Sequence, residues 1–374
     1  MRAVHSDRLE RWLGTERVNQ LSGNMKGWYG PPINLADCPG SVWVDRHGDF
    51  YGDFDRGYFA SAADSMRDYL KRFWIEAGRP IYMRDQLNVG FASISDALAR
   101  ASGGNSQLLN GNIIKNGPTG VVGSASSLWR IGPQPNGGSA GSAAPGGRVP
   151  VSTTTGGMRF ANPSTGTLHL TGADFSASVI NNSIMLYDRI FDVAKTMNSS
   201  ATESVTGVPT RYQGVTAGND NFAGGNFLFI ETPSALAATA HNWTTCLYTD
   251  EAGNVNQTLP SVTGNASNII DRFDMPLNTW FCPLATDDVG IAALDQMQCS
   301  AAVATGSINF VIGHPIGIMA FPVLGALLPF DWLTNRNQAP RIFDDACLSL
   351  LEFPKPTSVA TVYSGQIYVT SAAP

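Results

Sequence analysis

The stretch that decides the fold is VIGHPIGIMAFPVLGALLPF, residues 311–330, which contains no formally charged side chain. An apolar run of this length is long enough to span a membrane as a helix. Pro315, Pro322 and Pro329 argue against that helix, because proline removes a backbone donor and its ring clashes with the preceding turn. We therefore predict buried strands and turns here, and we expect no membrane partner.

Other segments of the second half show the same strand-like character. β-Branched and aromatic residues alternate or cluster between Gly, Pro, Asn and Asp breaks in MRFANPSTGTLHLTG (158–172), NFLFIETP (226–233), GSINFVIG (306–313) and ATVYSGQIYVT (360–370). The segment WTTCLYTDEAGNVNQTLP (243–260) predicts a hairpin that turns at Glu251–Asn254. Short helices are predicted at 184–195 and 287–298. The fold class predicted for residues 158–374 is an antiparallel β-sandwich or barrel, mainly β with some α.

The first hundred residues have a different pattern, which predicts a small helical or mixed region. In SAADSMRDYLKRFWIEAGRP (61–80), Ser61 is placed to cap a helix and Pro80 to end it. One apolar face follows at helical spacing: Met66, Tyr69, Leu70, Phe73 and Trp74. A second helix is predicted near Ser6. We assign residues 1–100 to an N-terminal docking region.

Residues 101–157 separate these two parts. They are rich in Gly, Ser, Pro and Ala, and their only charged side chains are Lys115, Arg130 and Arg148. Such a composition buries too little apolar surface to offset the entropy of ordering. We predict a flexible linker, or an extended arm that is ordered by contact with a neighbour.

The overall composition restricts the function. Charged residues make up 14% of the 374 residues and the net charge is −6. A nucleic-acid-binding protein normally presents a basic face, and the sequence shows none, so we expect no direct binding of nucleic acid. A surface poor in charge suits a protein that is covered by neighbours better than a freely diffusing enzyme.

Cysteine and histidine give no sign of a metal site or a disulfide framework. The five cysteines, none in a CxxC pair, stand at positions 38, 246, 282, 299 and 347. We expect reduced and mostly buried thiols. The five histidines are too scattered to pair locally as metal ligands. His314, in the apolar string IGHPIG, is predicted to be a core histidine rather than a general base.

The stretch WVDRHGDFYGDFD (43–55) is the strongest candidate for a site. Asp45, His47 and Asp49 alternate as calcium ligands do, and Asp53 could join them in a looser metal site. In an EF-hand loop, however, the glycine follows the third ligand and a glutamate follows the glycine, and neither condition is met here. We favour a hairpin with a solvated acidic turn, and we predict no metal and no cofactor.

Motifs for catalysis are weak. The string GGSAG (137–141) has the letters of a nucleophile elbow but lies in the Gly-rich segment, where no sheet supports it. The doublets Asp287–Asp288 and Asp344–Asp345 consist of adjacent residues, which point in different directions. We predict no catalytic residues.

Several strings in the second half resemble a family of virion structural proteins of tailed bacteriophages. They are LYDRIFDVAKTMNSSATESVTGVPTRYQ (186–213), AGGNFLFIE (223–231), QMQCSAAVATGSINFVIGHPIG (296–317) and PRIFDDACLSLLEFPKP (340–356). The resemblance implies a shell or tail component that is present in many copies and is not an enzyme. The long spine helix of HK97-type major capsid proteins has no clear counterpart in this sequence.

The first functional hypothesis is a head-associated virion subunit of the shell, cement or decoration type. It would form a symmetric homo-oligomer, expected to be a trimer, beside other virion proteins in a particle assembled in the bacterial cytoplasm. The second is a tail, neck or fibre protein. The third is a hydrolase of cell-surface glycan, for which Trp280, Phe281 and Trp332 offer aromatic surfaces; convergence of the acidic side chains at 45–53 in a cleft would favour it.

Overall fold

The computed structural model describes residues 42–44, 50–52, 91, 94–217, 220–332, 339–353 and 357–372. The chain divides into two compact units, residues 1–81 and 82–374. In the first unit, β1 (Val42–Val44) and β2 (Phe50–Gly52) pair antiparallel. The helices predicted at 61–80 and near Ser6 lie outside the described residues.

The second unit is built almost entirely of strands. It begins with a nine-residue helix, α1 (Ile94–Ser102). The strands that follow are β3 (Ser106–Leu108), β4 (Ile113–Asn116), β5 (Ser126–Ser127), β6 (Pro133–Gln134), β7 (Ser142–Ala143), β8 (Leu168–Ala177), β9 (Asn182–Thr196), β10 (Glu203–Ser204), β11 (Phe227–Ser234), β12 (Asn242–Trp243), β13 (Leu247–Asp250), β14 (Gln257–Thr258), β15 (Val262–Thr263), β16 (Ile291–Met297), β17 (Ser307–Phe321), β18 (Leu328–Asp331), β19 (Arg341–Ile342), β20 (Leu348–Phe353) and β21 (Val362–Ser371).

A six-stranded sheet lies at the centre, with the order β11-β17-β9-β20-β5 and β7 added beside β9. Its longest strands, β9 and β17, pair antiparallel from Ser307↔Thr196 to Phe321↔Asn182. The apolar stretch at 311–330 therefore consists of most of β17, a turn and the start of β18. Strands and a turn are as predicted, but the turn is exposed rather than buried, with Leu324 62% exposed. Pro315 fits inside β17 because the register shifts between Pro315 and Gly317, and such an irregularity accommodates the missing donor.

Two hydrophobic cores lie on opposite faces of this sheet. On one face, Ile184 and Leu186 of β9 pack with Phe175 of β8 and Ile367 of β21. On the other face, residues such as Tyr187 join a larger core with the side chains of β11, β13 and β16. The antiparallel β-sandwich is thus confirmed as the fold class of this unit.

Two further sheets cover the central one. A seven-stranded sheet has the order β18-β8-β21-β4-β6, with β19 and β3 at its sides, and a four-stranded sheet has the order β10-β16-β13-β14. The predicted hairpin at 243–260 is confirmed, because β13 pairs antiparallel with β14 and the Asp250 amide donates to the Asn254 carbonyl at 3.1 Å. Among the described residues, no helix has both the length and the apolar character that a bilayer crossing requires.

The helices predicted at 184–195 and 287–298 are wrong. Residues 184–195 belong to β9, and most of 287–298 belongs to β16. A strand covered on both faces shows a near-continuous apolar run, and such a run also satisfies a helical spacing. In β9 nearly every side chain is buried, which is the pattern of a central strand between two cores.

The segment 101–157 adds short strands to both large sheets. β3 pairs with β21, β4 pairs with β21 and β6, β5 pairs with β20, and β7 runs parallel to β9. It thus lies in the same compact unit as residues 158–372. The composition predicted a flexible linker or an arm ordered by a neighbour; in the structure this segment, which we call the arm, pairs with strands of its own chain.

Candidate functional site

The acidic stretch at 43–55 is only partly described. The pairing of Val44 with Phe50 and of Val42 with Gly52 is the pairing that a hairpin requires. Asp45, His47, Asp49 and Asp53 lie outside the described residues, so the weak metal hypothesis for them stays a prediction. Among the described residues, no group of three or more His, Cys, Asp or Glu side chains could hold a metal ion.

His314 is a core histidine, as predicted. Its side chain is buried, its Nδ1 lies 2.8 Å from Asn226 Oδ1, and its ring stacks on Tyr212 with 3.7 Å between centroids. Burial lowers the pKa of His314 to about 3, so the ring is neutral at physiological pH. This hydrogen-bond partner is a side-chain amide from the residue just before β11.

The cysteines that the structure describes also follow the prediction. Cys246, Cys282, Cys299 and Cys347 are free and buried. Burial raises the pKa of the Cys347 thiol to about 12 and that of Cys246 to about 11. Because the thiolate is the reactive form, these four groups are chemically inert in the folded chain.

The catalytic-looking strings have structural roles. In GGSAG, the Ser139 hydroxyl accepts a hydrogen bond from Arg148 Nη1 at 2.7 Å, and the Ser139 carbonyl accepts one from Trp129 Nε1 at 2.9 Å. Of the first acidic doublet, Asp288 accepts a short hydrogen bond from the Tyr248 hydroxyl. These hydrogen bonds hold the loops that contain Ser139 and Asp288. The hydrogen-bond partner of the Ser139 hydroxyl is an arginine, which cannot act as its general base.

The aromatic residues suggested for sugar binding are mostly inside the protein. Trp332 is buried, and Phe281 packs against the larger core. Trp280 is 39% exposed and stacks on Phe353 with 4.8 Å between centroids. One exposed aromatic ring remains of the three, so they do not form a sugar-binding platform.

A buried network of charged side chains lies on the central sheet, and sequence reasoning missed it. Arg189 donates from Nε to Asp192 Oδ2 at 2.7 Å and from Nη2 to Glu231 Oε1 at 2.6 Å. Arg211 forms a two-pronged contact with Asp188, at 2.7 and 2.8 Å. Burial alone would raise the pKa of Glu231, but the Arg189 guanidinium holds it below its usual range.

The same network fixes the Gly-rich arm. Arg148 donates to both carboxylate oxygens of Asp192, at 3.1 and 2.8 Å. The backbone amide of Gly141 donates to Asn309 Oδ1 at 3.1 Å, and Arg189 lies 4.8 Å from the centre of the Trp129 ring. Charged side chains on the central sheet therefore hold a segment that has few apolar side chains of its own.

An apolar surface forms at one end of the sandwich, where five loops meet. The loops are residues 117–124, 178–182, 276–280, 322–327 and 357–362. None of these segments contains a charged residue. Backbone hydrogen bonds tie them together: Gly117 N to Thr361 O, Gly120 N to Ser358 O, Ser178 N to Val362 O, Gly325 N to Ala177 O and Asn278 N to Gly123 O.

Ten large apolar side chains in these loops are between 39% and 64% exposed. We call this set the apolar end: Val121, Val122, Ile180, Leu277, Trp280, Val323, Leu324, Leu327, Val359 and Val362. Exposed apolar residues that occur singly are normal, whereas ten of them in uncharged loops that are joined by hydrogen bonds form a candidate contact surface.

Comparison with known proteins gives no family assignment. The chain matches no model of a protein family and no curated protein. Solved structures of infectious bursal disease virus align with long stretches of this chain, but both the sequence identity and the structural similarity are very low. The Gt strain structure has 7% identity and a TM-score of 0.15, with 71% of this chain and 82% of that chain covered. The VP2 subviral particle has 8% identity and a TM-score of 0.15, with 71% and 80% covered. Agreement at this level carries no argument about function.

Proposed function

We propose that this chain is a structural component of a bacteriophage virion, a head-associated subunit of the shell, cement or decoration type that assembles symmetrically. The apolar end is the observation that carries the proposal. The resemblance of residues 186–213 and 296–317 to virion proteins of tailed phages supports it, as does the low charge of the whole chain.

Covering the apolar end offsets the cost of association. Full burial of a large apolar side chain contributes about 1.5–3 kcal/mol. Ten side chains that are about half exposed would therefore contribute roughly 10 kcal/mol when covered, by the same area rule. That is comparable with the roughly 4–15 kcal/mol that association costs in lost translational and rotational freedom. Contacts of this strength become persistent when many copies bind side by side.

The absence of charge in these loops indicates the nature of the partner. An uncharged apolar surface gains nothing from a charged neighbour, since such a neighbour would lose hydration without finding a partner. The apolar end of a second copy has the matching character. A symmetric homo-oligomer meets this requirement: a dimer would place the same surface on both sides of a two-fold contact, and the trimer that we expect would place the apolar ends of three copies around the three-fold axis.

The first experiment measures the mass of the purified chain by size-exclusion chromatography with light scattering. We expect an oligomer that Leu324→Asp dissociates, because the new carboxylate would be buried without a partner. Val255→Asp is the matched control, since Val255 is 62% exposed, as Leu324 is, but lies outside the apolar end. A wild-type monomer at high concentration would refute assembly through this surface.

The second experiment locates the chain on native particles by electron microscopy with a labelled antibody. Label on the head supports the proposal. Label on the tail, neck or a fibre would replace it with the second hypothesis, and absence from the particle would refute a structural role. The glycan hydrolase stays an alternative that glycan cleavage by the purified chain would establish.

A further inference from the structure

A cavity of about 340 Å³ opens beside the arm, away from the loops of the apolar end. Its volume is at the lower end of the range for small-molecule sites. It is lined by Asn110, Pro133, Gln134, Pro135, Asn136, Thr155, Gly156, Gly157 and Arg159. The lining residues include side-chain amides, a hydroxyl and a guanidinium, and none of them is acidic.

The floor of the cavity requires glycine. Gly156 has a φ of +104°, and a Cβ there would lie 2.6 Å from the Gly138 Cα. A Cβ on Gly157 would approach Cys347 Sγ to 3.0 Å. Glycine is required at these positions because a side chain would collide with neighbouring atoms of the protein itself.

The wall that carries Arg159 is also fixed. The amide of Asn110, which has a φ of 57°, donates to the Arg159 carbonyl at 2.7 Å. The Arg159 side chain is exposed, and no carboxylate among the described residues pairs with it. An exposed guanidinium on a residue that lines the cavity can pair with an anion from solution.

A second cation lies behind the Pro135 wall. Lys115 is fully buried, and its ammonium group donates to the carbonyls of Ile131 at 2.6 Å and Pro135 at 3.0 Å. Burial lowers the pKa of Lys115 to about 8, and no carboxylate among the described residues is paired with it. A negative charge in the cavity would offset part of the cost of burying this cation.

We propose that the cavity binds a small hydroxylated molecule that carries an oxyanion, such as a carboxylate or a phosphate on a sugar-sized body. Arg159 pairs with the oxyanion through its two-pronged donor geometry. Asn110, Asn136 and Thr155 supply donors and acceptors for hydroxyl groups. The proline rings provide the apolar faces against which a sugar ring packs.

Isothermal titration calorimetry on the full chain tests the proposal with glucuronate, glucose 1-phosphate and neutral glucose. We expect both anions to bind at least about tenfold more tightly than glucose, a difference typical of one charge-assisted contact. The two anions also separate a carboxylate preference from a phosphate preference.

Three variants identify the site. Arg159→Gln should lower the affinity for the anions to that for glucose, whereas Arg159→Lys should retain part of it because the charge remains. Arg272→Gln removes the same charge from a half-buried arginine that does not line the cavity, and the affinity for both anions should stay the same. Equal binding of glucose and the anions, absence of heat with all three ligands, or unchanged anion binding by a folded Arg159→Gln protein would overturn the proposal.

Discussion

Replacing Arg189 by methionine tests whether the buried charges of the central sheet stabilise the sandwich. Arg189 is fully buried, and it contacts Asp192 from Nε and both oxygens of Glu231 from its two terminal nitrogens. The substitution keeps a long side chain beside Trp129 but removes the positive charge. Asp192 then retains Arg148, while Glu231 retains Asn309 as its hydrogen-bond donor.

The expected loss follows from the asymmetry of buried ion pairs. Removing one member of such a pair costs about 3–5 kcal/mol, because the other member is left charged and out of water. Glu231 is 1% exposed, so we expect Arg189→Met to lower the free energy of unfolding by about 4 kcal/mol. Adding Glu231→Gln removes the stranded charge, and the double variant should recover at least about 1 kcal/mol of that loss.

Urea denaturation followed by circular dichroism measures these differences. Arg100→Met is the control: Arg100 pairs with Asp96 at 3.0 Å on α1, but both side chains are 28% exposed. Exposed pairs of this kind contribute at most about 0.5 kcal/mol. If Arg189→Met cost less than about 1 kcal/mol, like an exposed pair, the network would not be what stabilises the sheet and the arm.

Three other outcomes are expected. Burial lowers the pKa of Lys115 in the folded protein to about 8, below the ordinary lysine value of 10.5. Wild-type stability should therefore gain up to roughly 3 kcal/mol relative to Lys115→Met as pH rises from 8 to 10.5; parallel urea midpoints of the two proteins over this range would contradict it. Gly138→Ala should lower the free energy of unfolding by about 2 kcal/mol, because the new Cβ would lie 2.2 Å from the Trp129 ring. Gly146→Ala should leave the stability unchanged, since no atom lies within 4 Å of its Cβ. Equal melting temperatures of the two variants would disprove this reasoning. Because the four described thiols are buried, Ellman's reagent should react with at most one thiol of the native chain, that of Cys38. After denaturation it should react with all five. Fast reaction of two or more thiols in the native chain would show that the cores open.

The fold class could be predicted from the sequence because turn and strand signals were unambiguous where they mattered. Three prolines in the apolar run at 311–330 excluded a regular helix, and the turn residues between Tyr248 and Gln257 indicated the hairpin. The same reasoning failed at 184–195, where Asp188, Arg189 and Asp192 have the spacing of polar positions on a helix. In the structure these residues lie on a central strand, and their charges are neutralised by partners that are distant in sequence, such as Glu231 and Arg211.

The apolar end and the cavity were harder to predict, because each is built from segments that are far apart in the chain. Val121 and Leu277 stand in Gly- and Pro-containing segments, and Leu324 belongs to the apolar run that predicts buried strands and turns. The hydrogen bonds that join their loops are not visible in the sequence. Arg159 and Lys115 likewise stand 44 positions apart in a sequence that predicts an arm. Low charge favoured the hypothesis of contact with neighbours but indicated no surface for it. A chain with few charged side chains can place them in two ways: on the surface, or buried where they bind a segment that has few apolar side chains. In this protein Arg189, Asp192 and Glu231 are buried beside the arm. The loops of the apolar end contain no charged side chain to favour their hydration.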